Sequence, residues 1–123
     1  MKRFTASEKW QDEWFQELKP TLKLFWVYVC DQCDAAGVWK VNIRLASFQI
    51  GEPLDSAEII TAFEGRIEDI GKGRWWIVQF VSFQYGTLSE SCAPHRRILQ
   101  LIANHGLEQR VGLPLRKGSA RVA

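Results

Sequence analysis

The sequence holds few of the residues that staple a chain or carry most chemistry. In 123 residues it has three cysteines, two histidines, two tyrosines, four prolines and a single methionine. Three thiols make no disulfide framework, and the expectation is that they are reduced. No apolar run approaches the roughly 20 residues of a bilayer-spanning helix, and the N-terminus, MKRFTASEKW, lacks the apolar centre of a secretory signal. A cytoplasmic location and no membrane partner are therefore expected. Internal repeats and low-complexity tracts are absent, and no nucleophile stands in a motif with an orienting base, so the expectation is not an enzyme.

What is abundant is aromatic bulk, with six Trp and seven Phe. Each buried aromatic removes about 150–250 Å² from water, so one domain of this length can build a core without staples. The net charge of +2 hides an asymmetry. Residues 1–69 carry 8 Lys and Arg against 12 Asp and Glu, a net of −4, whereas residues 70–123 carry 8 against 2, a net of +6. A basic second half suits contact with phosphates.

Periodicity places the elements. Thr5 with Glu8 reads as a capping box for a first helix whose apolar face is Trp10, Trp14, Phe15 and Leu18. Pro20 opens a second helix on which Leu22, Phe25, Trp26, Val29, Cys30 and Cys33 form one stripe, and Gly37 reads as its left-handed cap. Val38 to Val41 is a short strand. Asn42 caps a helix that Gly51 ends, with Leu45, Ala46 and Phe48 read as inward. Asp55 and Glu58 start another, burying Ile59, Ile60 and Phe63. Gly71-Lys72-Gly73 is a hairpin loop between strands at 67–70 and 74–78. One of Trp75 and Trp76 is inward, and the other either packs against Trp10 and Trp14 of the first helix or is open to stack on a base. Phe80 and Phe83 suggest a helical turn. Pro94 opens the last helix, buried through Ile98, Leu101 and Ile102, with His105 read against its final carbonyls. The expected fold is α+β, a mainly helical winged helix-turn-helix with a β-hairpin wing over residues 1–109, followed by an irregular tail over 110–123.

In that architecture the second helix of the helix-turn-helix faces DNA and the wing reaches the backbone. Here that helix exposes Ser56, Glu58, Thr61 and Glu64 beside Glu52 and Asp55, an acidic face that repels phosphates. Phosphate contacts are therefore assigned to Lys40, Arg44, Arg66, Lys72, Arg74, Arg96 and Arg97. A protein-interaction adaptor of the same fold and a transcriptional regulator remain open readings. No cofactor is expected. Cys30, Cys33, Cys92 and His95 have the ligand types and spacing of a Cys₃His zinc site, against which stands the position of the first two on the apolar stripe.

The segments EKWQDEWFQEL, CDQCDAAGVWKVN, RLASFQIGE, GRWWIVQFVSFQYGTLSESCAPH and ANHGL occur in this order. Together they make the sequence, from about Phe4 to Leu107, resemble the N-terminal domain of phage replication initiation proteins of the replisome-organiser type. The resemblance implies a winged-helix fold, DNA binding at a phage origin in a bacterial host cell, and a replication helicase or its loader as protein partner. Members of that family often continue through a linker into a second domain, whereas this sequence ends at Ala123. The assigned contact residues rest on charge and placement, not on the resemblance.

Overall fold

The computed structural model describes residues 2–111, so the expected tail beyond 111 lies outside the described residues. A 3₁₀ turn, Ser7–Gln11, leads into α1 (Glu13–Gln16), α2 (Pro20–Gln32), β1 (Val38–Lys40), α3 (Ile43–Ile50) and α4 (Ser56–Ala62). The hairpin strands β2 (Ile67–Gly71) and β3 (Arg74–Ile77) follow, then α5 (Phe80–Tyr85), α6 (Ala93–Asn104) and α7 (Glu108–Val111). The three strands form one antiparallel sheet in the order β1-β3-β2. The fold is thus α+β.

Local chemistry explains most boundaries. Pro20 sits at the start of α2, where its missing N–H costs nothing. The Asn42 and Asp55 side chains accept from the N–H groups of Leu45 and Ala57, and Gly51 ends α3 at φ 94°. The expected capping box does not form. Ala6 precedes the 3₁₀ turn without a side-chain cap, and the α-helix starts only where the Asp12 carboxylate accepts from Trp14 N–H. The first helical stretch is therefore split in two.

Gly37 does not cap α2 either. That helix stops at Cys33, and Asp34 builds the turn into β1 by accepting from the N–H groups of Ala36 and Val38 at 2.9 and 3.0 Å. Gly37 closes this turn at φ 86°.

The core lies on both faces of the sheet. Trp39, Trp75 and Ile77 join Phe25, Val29, Ile59 and Phe63 on one side. Val38 and Trp76 join Val81, Leu88, Ile98 and Ile102 on the other. Successive strand residues point to opposite faces, so a sheet covered twice buries both Trp75 and Trp76. Neither indole is open to a base, so the stacking alternative fails, and Trp75 packs against Phe25 and Trp39 instead of Trp10 and Trp14. The Trp76 indole N–H has no acceptor among the described residues.

Two further inward assignments fail on α3. Only Ala46 of its three expected core residues is buried, while Leu45 is 45% and Phe48 82% exposed. Ala46 lies against the sheet-side core, and Phe48, two positions on, falls on the far side of the helix. At the chain's other end, Arg110 and Val111 belong to α7 instead of an irregular tail. Arg110 pairs with Glu68 at 2.7 Å and lies over the Trp76 ring at 5.2 Å. That hydrogen bond holds the Glu68 carboxyl below its ordinary range.

Candidate nucleic-acid interface

The cations assigned from sequence divide by position. Lys40 and Arg74 are directly opposed across β1 and β3. Opposed residues in an antiparallel pair have Cβ atoms about 4.5–5.5 Å apart, and like charges there repel. Lys72 occupies the hairpin tip in the left-handed region, φ 57°, between Gly71 and Gly73. Val41 N–H donates to the Gly73 carbonyl at 2.8 Å, which joins the hairpin tip to the chain entering α3. Arg44 is in the first turn of that helix. One end of the molecule therefore gathers Lys40, Arg44, Lys72 and Arg74.

Among the described residues, Lys40, Arg44 and Lys72 are exposed and take part in no salt bridge. Arg74 is half-buried and engaged. Its Nε donates to the Gly71 carbonyl at 3.2 Å, one terminal nitrogen donates to His105 Nδ1 at 2.8 Å, and the other reaches the Ile70 carbonyl at 3.5 Å. A guanidinium can only donate. His105 Nδ1 must accept, which leaves Nε2–H to donate to Asp34 Oδ2 at 2.8 Å. His105 thus does not serve the last carbonyls of α6, as its position suggested. It links Arg74, at the base of the hairpin tip, to the Asp34 turn. Arg74 acts as a strut for the tip as well as a charge.

The remaining assigned cations stand elsewhere. Arg66, at the hairpin's opposite end, stacks on the Trp14 ring at 3.7 Å and lies 3.8 Å from Asp12. Arg96 and Arg97 are exposed on the first half of α6, and Arg96 donates to the Glu90 carbonyl at 3.0 Å. With a helical rise of about 1.5 Å per residue, Arg97 is about 12 Å along the axis from His105. The sequence signal for this division was weak, because strand register and α6 packing decide it.

The face of α4 is acidic, as its sequence indicated, and one of its carboxylates is engaged, Glu58 with Lys19 at 2.7 Å.

The cysteine and histidine constellation does not assemble. No group of three or more His, Cys, Asp or Glu able to hold a metal ion occurs among the described residues. Cys33 is buried at the end of α2, and Cys30 lines an apolar cleft of about 220 Å³ with Phe4, Trp26, Phe80 and Phe83. His95 Nδ1 accepts from Ser89 N–H at 3.0 Å, which makes it a loop anchor.

Burial pushes both the Cys30 and Cys33 thiols up to about 12. At pH 8 an ordinary thiol ionises by roughly a tenth or more, whereas these would do so about 1,000-fold less. Iodoacetamide is accordingly expected to label them slowly in the folded protein and rapidly in urea, as peptide mapping would show. The sign for stability follows from raised folded-state values. Their contribution is fully present below the unfolded thiol value near 9 and is lost as pH rises towards 12. Urea midpoints should fall across that window.

No protein-family model, curated protein or solved structure matches this chain. Among the described residues no helix is long and apolar enough to cross a membrane.

Proposed function

We propose that this chain is a winged-helix domain that binds DNA, mainly through backbone phosphates, and that it acts in phage replication initiation. The observation that carries the DNA-binding reading is the Lys40–Arg74 cross-strand pair, continued by Lys72 at the hairpin tip and Arg44 on α3. Neither cation is in a salt bridge among the described residues, and opposed like charges repel, which an incoming phosphate relieves. The element order α2-β1-α3-α4-β2-β3, with β1 paired to β3, supports the winged-helix assignment. The replication context rests on the sequence resemblance alone.

The mechanism is placement, not bond-making. The hairpin tip and the start of α3 hold the backbone, Arg74 and His105 hold the tip, and acidic α4 stays off the phosphates. Sequence-specific reading by α4 is disfavoured, since a carboxylate-rich helix in the major groove would meet phosphate on either side. Titrating the chain with duplex DNA at two salt concentrations tests this. For about four phosphates, log K should fall against log salt with a slope near −3.6.

A second reading draws on the same acidic surface. Glu52, Asp55 and Glu64 are exposed around α4 and have no salt-bridge partner among the described residues. A basic protein, such as a replication helicase or its loader, could dock there, and the domain would then be an adaptor. If the chain shows no salt-sensitive DNA binding at low ionic strength, the adaptor reading replaces the first.

A further inference from the structure

Phe48 is the most exposed large apolar side chain among the described residues, at 82%. It lies in the last turn of α3, a helix capped by Asn42 and Gly51. Neighbouring side chains leave it uncovered. Gln49 turns the other way, and its Oε1 accepts a hydrogen bond from the Tyr28 hydroxyl on α2. An exposed phenyl ring forfeits the hydrophobic gain of burial, and nothing in the packing of α3 needs it there.

Its surroundings identify an occupant. Arg44 is four residues earlier, so the two side chains share one helix face with Cβ atoms about 5–6 Å apart. That separation is comparable to the reach from a base to its own phosphate. The segment from Val38 to Gly51 holds Lys40 and Arg44 and no acidic residue. The partly exposed Leu45 flanks the ring. An anionic chain that carries flat apolar faces fits this surface; an uncharged apolar protein segment leaves the cations unused.

We infer that Phe48 is a stacking platform for an unpaired base, with Arg44 holding the adjoining phosphate, so that α3 binds single-stranded nucleic acid. This rests on the phosphate-binding reading and adds a strand preference to it. In a duplex the base faces are already stacked on one another, whereas an unpaired base offers its face to an aromatic ring whatever its identity. The aromatic pair that stood out in the sequence, Trp75-Trp76, cannot serve, because both are buried.

The test compares the parent chain with Phe48→Ala and Phe48→Tyr, using fluorescein-labelled oligo-dT of about 15 nucleotides and a duplex of equal length. Phe48→Ala should weaken oligo-dT binding about 5- to 150-fold, the range that one base–aromatic stack supplies. Duplex affinity and the salt slope should stay unchanged, and Phe48→Tyr should restore oligo-dT binding. The side chain is exposed, so all three proteins should melt alike.

Equal losses on both probes would assign Phe48 to insertion between duplex base steps and overturn the proposal. Unchanged oligo-dT binding, in a parent that still binds duplex in a salt-sensitive way, removes the stacking role and leaves the phosphate reading intact. A parent that binds neither probe removes both. Sedimentation showing that Phe48→Ala separates a dimer would assign the ring to self-association instead.

Discussion

Replacing Lys40, Arg44 and Lys72 together by glutamate is expected to lower duplex affinity about 100-fold or more at low salt. The slope of log K against log salt should flatten from near −3.6 towards −0.9, since about three of four phosphate contacts are lost. The same substitutions should leave the fold intact. All three side chains are exposed and, among the described residues, none is in a salt bridge. Lys40→Glu even places a carboxylate opposite Arg74, which should add about 0.2–1 kcal/mol of stability where there was repulsion. Binding lost while the melting temperature holds or rises is the signature of charges kept for a ligand. Filter binding and a thermal melt on one preparation measure both.

Two controls sharpen that result. Arg96→Glu with Arg97→Glu removes cations about 12 Å farther along α6, and should reduce affinity by less than about tenfold if the hairpin end is the principal contact. Arg66→Ala should instead reduce stability, because that guanidinium covers Trp14 and faces Asp12. A binding loss from Arg66→Ala as large as that of the triple variant would move the interface to the hairpin base.

The sequence was most readable where a local device decides the structure. Pro20 begins α2, Asn42 and Gly51 bracket α3, and the glycine-flanked Lys72 marks the hairpin turn, although Gly71 belongs to β2 and only Lys72-Gly73 forms the loop. It was misleading where long-range packing decides. Trp75 and Trp76 alternate as any half-buried strand does, and the second face is covered by residues from farther along the chain, Val81 of α5, Leu88, and Ile98 and Ile102 of α6. Phe48 reads as core because it is apolar on an amphipathic helix. Its true orientation depends on where Ala46 meets the sheet. His105 reads as a terminal residue of α6 because Asp34 and Arg74, its partners, lie 71 and 31 positions away. The cations were all visible in the sequence, and their grouping was not. Register brings Lys40 to Arg74, and packing takes Arg66 and Arg97 elsewhere.

Gly37 is the position where a single methyl group should do most damage. A Cβ built there would stand 2.6 Å from the Phe80 Cβ and 3.1 Å from the Ile77 carbonyl oxygen. Neither neighbour can yield easily. Phe80 opens α5 and is buried in the core, while the Gly37 carbonyl accepts from Ile77 N–H at 2.8 Å, fixing the two strands' approach. The backbone is also left-handed, at φ 86°. An L side chain costs about 1–2 kcal/mol in that region, and overpacking a tight core costs about 1–3 more. Gly37→Ala should therefore lose about 2–5 kcal/mol and move the urea midpoint down by about 1–3 M. Gly51→Ala separates the two causes. Its φ of 94° carries the same conformational strain, but no atom lies within 4 Å of its Cβ. It should lose only about 1–2 kcal/mol. Equal losses at the two sites would mean that strain alone acts, and that β1 is free to move away from α5. A loss at Gly37 well beyond that at Gly51 would place the close β1–α5 approach among the constraints that hold the Asp34 turn and, through His105 and Arg74, the hairpin tip.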